Sequence, residues 1–72
     1  MLCLKDLLRV ADDDTKIIIT DVHRPLRGSV LFDGYVDEAR DIIREDMIVI
    51  DLGVVDEEMH ILVRKLPIEV TI

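Results

Sequence analysis

Residues 47–66 place the strongest constraint on what this chain can fold into. They read MIVIDLGVVDEEMHILVRKL, two runs rich in Ile, Val and Leu that are separated by the acidic triplet Asp56, Glu57 and Glu58. Apolar runs bounded by a polar turn are typical of an antiparallel β-hairpin. We therefore predict a hairpin with a loop of several residues at the acidic triplet, and expect the rest of the chain to extend or cover its sheet.

Four apolar residues near the N-terminus recur at helical spacing. They are Leu4, Leu7, Leu8 and Ala11. This i, i+3, i+4, i+7 pattern predicts a helix of two to three turns around residues 4–10. Lys5 and Arg9 lie on the opposite side of that helix, where we expect them to face water. So short a helix is unstable alone, and its leucines should pack on the sheet.

Three further segments complete the predicted fold. Residues 15–21 (TKIIITD) carry isoleucine on both faces and favour a central strand, and residues 29–32 favour a short second strand that ends at the turn dipeptide Asp33-Gly34. Residues 35–36 either resume that strand or begin a helix, and helical spacing favours a helix over residues 37–43. The expectation is one α+β domain over residues 1–72. Its short N-terminal helix packs on a mainly antiparallel sheet of about four strands, in the order α-β-β-(α)-β-β.

Charge and cysteine content narrow the function classes. The net charge is −7, from 16 acidic and 9 basic side chains, so direct nucleic-acid binding is disfavoured by repulsion. Cys3 is the single cysteine, which excludes an internal disulfide and favours the reducing cytoplasm. We find neither a signal-peptide pattern nor an apolar run of membrane-spanning length, and predict no membrane association.

No combination of residues indicates catalysis, a cofactor or a metal. The lone serine, Ser29, and Cys3 lack a nearby base held by a third group, so we predict that the protein is not an enzyme. The Asp12-Asp13-Asp14 run is read as a turn rather than an oxygen-rich metal site, because the glycine and glutamate of a calcium loop are missing. The basic loop His23, Arg24 and Arg27 is a solvated loop or, alternatively, an anion site.

Apolar side chains on both faces of the predicted strands indicate self-association. One leucine helix covers one sheet face, and we expect the second short helix to cover part of the other. The alternating tail Ile68, Val70 and Ile72 then adds apolar surface that a lone chain would expose. A homodimer is the simplest closed arrangement, with a sheet face or this tail as the self-complementary patch.

The acidic residues suggest a second possibility. Asp12, Asp13, Asp14, Asp56, Glu57 and Glu58 are candidate contacts for a basic host protein, together with the acidic groups at residues 37–41 and 45–46. In that case the chain would inhibit a host defence or DNA-binding protein by imitating nucleic acid. The simpler interpretation is that these residues keep turns and loops solvated.

The order of short motifs resembles a known group of proteins. A helix LKDLL, an acidic turn DDDTK, a strand IIITD, then LFDGYV and the closing MIVID and MHILVRK resemble a loose group of small acidic proteins. These occur in Gram-positive bacteria, their prophages and other mobile elements, and are largely uncharacterised. The resemblance implies a helix-plus-sheet fold and an accessory, protein-binding role, and it transfers no active residues. The tail after Leu66 is longer and more apolar than in that group.

Overall fold

The computed structural model describes residues 1–22 and 30–65. In chain order the elements are α1 (Leu4–Val10), β1 (Lys16–Asp21), β2 (Val30–Tyr35), α2 (Val36–Ile42), β3 (Met47–Val55) and β4 (Glu58–Lys65). The predicted α+β class and α-β-β-α-β-β order are therefore confirmed. The segment after Tyr35 begins a helix rather than resuming the strand.

The four strands form one sheet in the order β2-β1-β4-β3. The pairs β1–β2 and β3–β4 are antiparallel, which confirms a mainly antiparallel sheet. The two central strands, β1 and β4, are parallel, with Ile17 opposite Met59 and Asp21 opposite Val63. This parallel contact places the first residues of β1 and β4 at the same end of the sheet.

Both helices pack on one face of the sheet around a shared core. The core consists of Leu4, Leu8, Ile17, Ile19, Phe32, Val36, Ala39, Met47, Ile61 and Val63. The expectation that α2 covers part of the opposite face is wrong, because α2 lies against α1 and its Val36 and Ala39 join the same core. In the described part of the chain, the opposite face, with Ile18 and Leu62, is covered by neither helix.

Burial holds α1 in place more than its own ends do. Leu4 and Leu8 are buried, and full burial of an aliphatic side chain contributes about 1.5–3 kcal/mol. The N-cap residue Cys3 makes no side-chain cap bond. Instead the Asp46 carboxylate accepts the backbone N–H of Lys5, at 3.1 Å, and of Met47, at 2.9 Å. Asp46 thus satisfies a first-turn N–H of α1 and ties that turn to the start of β3.

The C-terminal end of α1 is held by a side chain from α2. The Arg40 guanidinium donates from Nε to the Leu8 carbonyl, at 2.8 Å, and from Nη2 to the Ala11 carbonyl, at 2.6 Å. It also pairs with the Asp13 carboxylate. Carbonyls in the last turn of a helix lack helical partners, so Arg40 supplies what the short α1 cannot.

Asp33-Gly34 is not a turn, in contrast to the prediction. Both residues continue β2, where Asp33 lies opposite Ile18 and Gly34 opposite Ile17. A Cβ at Gly34 would lie 2.9 Å from Cζ of the Phe32 ring. The glycine is therefore explained by the space that the buried ring occupies, not by a change of chain direction.

The hairpin loop is shorter than predicted. Val55 pairs with Glu58, so Asp56 and Glu57 alone form the turn and Glu58 begins β4. Asp56 and Glu57 have φ of 51° and 66°. Two successive residues with positive φ are the signature of a type I′ turn, whose twist matches that of the strands. Glutamate has no special tolerance for that conformation, which left the tight turn hidden in the sequence.

Candidate functional site

Two of the predicted acidic segments lie at the same end of the sheet. The Asp12–Asp14 run forms the turn that leads into β1, and its three side chains are exposed. Asp56 and Glu57 form the turn that leads into β4, and Glu58 is half-buried at the start of that strand. Because β1 and β4 run parallel, both turns fall at the end where these strands begin.

The first turn of α2 brings more carboxylates to this end. The Val36 N–H donates to the Thr15 carbonyl at 3.0 Å, and the Asp37 N–H donates to the Asp13 carbonyl at 3.2 Å. Asp13, Asp14, Asp37 and Glu38, with Tyr35, line a shallow depression of about 480 Å³. We call the eight acidic residues here the acidic end: Asp12, Asp13, Asp14, Asp37, Glu38, Asp56, Glu57 and Glu58. They are half of the 16 acidic residues in the chain.

The predicted self-association residues Ile68, Val70 and Ile72 lie outside the described residues, as does the basic loop His23, Arg24 and Arg27. The described residues show another exposed apolar surface, on the outer strand of the sheet. Four large apolar side chains of β3 are 43–70% exposed: Ile50, Leu52, Val54 and Val55. We call residues 50–55 the β3 edge.

Among the described residues, the outer side of β3 has a neighbour only along the first part of the strand. The Val49 N–H donates to the Leu2 carbonyl at 2.8 Å, and Cys3 bridges to Ile48. Beyond that point no described segment pairs with the outer side of β3. An exposed strand of this kind offers backbone N–H and C=O groups to an incoming strand.

A single charged residue interrupts the β3 edge. Asp51 follows a register shift between Val49 and Asp51, and its carboxylate accepts the Leu52 N–H at 2.9 Å. This local bond occupies one backbone donor of the edge. Charged residues on edge strands commonly limit uncontrolled pairing, so Asp51 weakens the edge as a template without closing it.

A basic cleft separates the two helices, and the sequence interpretation missed it. Lys5, Arg9, Arg40 and Arg44 line this cleft of about 520 Å³, together with Leu8 and Ile43. Lys5 and Arg9 were expected simply to face water. Two basic pairs with i, i+4 spacing, Lys5 with Arg9 on α1 and Arg40 with Arg44 at the end of α2 and just after it, are the signal that could have revealed the cleft.

The described segments were also compared with the arrangements that metal ions require. Across residues 1–22 and 30–65, no three His, Cys, Asp or Glu side chains are grouped to hold a metal ion. Cys3 is half-buried beside β3. The helices of these segments are also too short and too polar to cross a membrane.

These features make the β3 edge, the acidic end and the basic cleft the candidate functional surfaces. Comparison of the chain with protein-family models, with curated proteins and with solved structures found no match.

Proposed function

We propose that the protein is a non-catalytic interaction module that acts as a homodimer, with the β3 edges of two copies paired about a twofold axis. The observation that carries this proposal is the exposed outer side of β3, the longest strand in the described residues, with its four accessible aliphatic side chains. Antiparallel pairing of an edge with its own copy satisfies the backbone groups of both and closes the assembly.

Charge favours this edge over other contacts between copies. Two chains that each carry −7 repel one another, so their contact should be poor in charge. β3 has one charged residue in nine, whereas β4 has Glu58, Arg64 and Lys65 within eight residues.

Burial and backbone pairing favour the dimer, and the loss of freedom on association opposes it. Completing the burial of a half-exposed aliphatic side chain contributes roughly 1 kcal/mol, and the two edges together supply eight such side chains. Backbone hydrogen bonds add about 0.5–1.5 kcal/mol each, while association itself costs about 4–15 kcal/mol.

Val54→Lys tests the proposal against a matched control. Val54 is 70% exposed on the β3 edge, and Val10 is 74% exposed on α1. By light scattering coupled to size exclusion at micromolar concentration, the unchanged chain and Val10→Lys should have the dimer mass, and Val54→Lys the monomer mass. A monomer mass for the unchanged chain, or equal effects of the two substitutions, would refute pairing through β3. Ile68→Asp and Val70→Asp, in the segment outside the described residues, test the predicted role of the tail in the same assay.

The acidic end supports a second candidate function, inhibition of a basic host protein by imitation of nucleic acid. Its support is the convergence of three separate segments, the turns before β1 and β4 and the first turn of α2, at one end of the molecule. Carboxylates that share one surface can present a field similar to that of phosphates.

Charge reversal separates this candidate from nonspecific attraction. Binding to a basic DNA-binding protein of the host should fall steeply with salt, compete with duplex DNA, and be lost in Asp56→Lys/Glu57→Lys. Asp41→Lys/Glu45→Lys changes the net charge equally outside the acidic end and should retain binding. Equal losses in both double variants would show that net charge alone is responsible.

The cellular setting that we propose is the cytoplasm of a bacterium or of a phage-infected cell, with an accessory role in a mobile element. The single cysteine, which needs no oxidising compartment, and the resemblance of the motif order support this setting.

A further inference from the structure

The cleft between α1 and α2 concentrates positive charge in an otherwise acidic protein. Four of the 9 basic residues line it, while the chain as a whole carries −7. Lys5 and Arg9 come from α1, Arg40 from α2, and Arg44 from the segment just after α2. Their convergence results from the packing of the two helices against each other on one sheet face.

Two of the four cations are already engaged. Arg40 bonds to two α1 carbonyls and pairs with Asp13. Arg9 pairs with Asp6 at 3.1 Å, through side chains that are 75% and 57% exposed. The Arg40 contacts join the two sides of the cleft, and both ion pairs offset part of its charge.

The other two cations remain available. Within the described segments, the side chains of Lys5 and Arg44 make no hydrogen bond or ion pair. The Asp46 carboxylate lies beside the Lys5 backbone, where it accepts the N–H groups of Lys5 and Met47. Lys5 and Arg44 therefore leave an ammonium and a guanidinium at one cleft without protein acceptors, a suitable pair of donors for an oxyanion.

The floor of the cleft is apolar. Leu8 is 3% exposed, and Ile43 is partly buried against the core. A volume of about 520 Å³ lies within the usual range of ligand sites, roughly 300–1,000 Å³. Apolar floor and cationic rim together match a ligand that has both an aliphatic part and an anionic group.

The dimensions select a small ligand rather than a polymer. A helix of seven residues is only about 10 Å long. At the C-terminal end of α1, the chain continues into the exposed carboxylates of Asp12, Asp13 and Asp14. A nucleic acid or an extended acidic peptide would run from the cleft into this acidic turn and be repelled there.

We propose that the cleft between α1 and α2 binds a small organic anion in which a phosphate or carboxylate group is joined to a short aliphatic part. Lys5 and Arg44 bind the oxyanion, and Leu8 and Ile43 contact the aliphatic part. This site is separate from the β3 edge and the acidic end, so it stands independently of the function proposed above.

The test uses hexyl phosphate and hexanoate as probes, with inorganic phosphate and hexanol as their separate halves. Amide NMR signals of residues 4–9 and 40–44 should shift and saturate with at least one complete amphiphile. Half-saturation should come at a concentration at least tenfold lower than for either half. The stronger of the two amphiphiles identifies phosphate or carboxylate as the preferred group.

Matched double variants locate the site. Lys5→Gln/Arg44→Gln removes two cations without removing a described hydrogen bond, and should weaken binding at least tenfold with an unchanged melting temperature. Lys16→Gln/Arg64→Gln removes the same charge from the strands and should leave binding unchanged. The proposal is overturned if neither amphiphile saturates, if both double variants weaken binding equally, or if an acidic peptide binds more tightly than both amphiphiles.

Discussion

The two glycines within the strands occupy opposite environments. A Cβ at Gly34 would meet the Phe32 ring at 2.9 Å, and Phe32 is a buried core residue. A Cβ at Gly53, on the β3 edge, would meet nothing within 4 Å. Packing therefore requires a glycine at position 34 but not at position 53.

Alanine substitution should separate these two roles. Gly34→Ala forces the ring out of its packed position and should destabilise the fold by about 1–3 kcal/mol. Gly53→Ala removes backbone freedom from the unfolded chain without a clash and should stabilise it by about 0.4–1 kcal/mol. Denaturant unfolding at one fixed protein concentration measures both, since dimerisation would make the stability concentration-dependent. Stability changes of the same sign at the two positions would contradict the assigned environments.

Individual residues also show where local patterns stop being informative. Asp33-Gly34 has the composition of a turn, yet the glycine is needed because of a ring two positions away in the same strand. Asp56-Glu57 has a less typical composition, yet it forms the tight turn. In both places tertiary packing or strand pairing outweighed residue preference.

At the scale of the elements, α1 depends on α2. It has seven residues, no side-chain N-cap bond, and two buried leucines as its anchor. Arg40 completes the connection by binding the Leu8 and Ala11 carbonyls and the Asp13 carboxylate. We therefore expect the two helices to be stabilised together, as one layer on the sheet, rather than independently of each other.

Arg40→Met should loosen that layer. The substitution keeps much of the aliphatic stem but leaves two carbonyls without their donor, and hydrogen bonds to charged groups contribute about 1.5–3 kcal/mol when well shielded. The Arg40 side chain is 31% exposed, so we expect a smaller loss of about 1–2 kcal/mol. Amide hydrogen exchange should rise most in residues 7–11.

Arg44→Met is the matched control for Arg40→Met. Arg44 lines the same cleft but makes no described hydrogen bond, and its replacement should change stability by less than about 0.5 kcal/mol. Equal losses in the two variants would show that stability depends on the charge of the cleft and not on the bonds of Arg40.

Periodicity predicted the elements well because each buries one side. The leucine spacing located α1, and the isoleucine run located β1 as a central strand, since both patterns follow from contact with a core. The parallel contact between β1 and β4 and the placement of both helices on one face were not predicted. Both features depend on contacts between segments that are distant in the chain, and a local sequence pattern contains no information about such contacts.

Two of the candidate surfaces also depend on contacts between distant segments. The acidic residues were identified one by one, but their convergence at one end depends on the parallel β1–β4 contact. The basic cleft joins side chains about 30 to 40 positions apart along the chain, so only the helix packing brings them together. In contrast, the apolar character of β3 was visible in the sequence, because edge position changes its exposure and not its composition.

At the scale of the whole molecule, charge is distributed unevenly. The acidic end contains half of the 16 acidic residues, and the basic cleft contains four of the 9 basic residues. The β3 edge contains one charged residue, Asp51. Each surface suits a different kind of partner. Raising the salt concentration should therefore strengthen association through the β3 edge and weaken binding at the two charged surfaces.

Salt should strengthen a dimer built on the β3 edge. Between about 0.1 M and 1 M salt the Debye length falls from about 10 Å to about 3 Å, which screens the repulsion between two chains of charge −7. Sedimentation velocity in sodium chloride should show a growing dimer fraction over that range. The double substitution Asp12→Asn/Asp14→Asn changes the net charge from −7 to −5. It should therefore reduce the salt dependence of dimerisation and raise the dimer fraction at low salt.

The opposite response has an equally definite meaning. A dimer that dissociates as salt rises would be held by ion pairs, and the two complementary surfaces on this chain are the acidic end and the basic cleft. A twofold pair closes through this contact when the acidic end of each copy meets the basic cleft of the other. In that case Lys5→Gln/Arg44→Gln would dissociate the assembly and Val54→Lys would not. Salt-induced dissociation would thus exclude the β3 edge as the dimer interface.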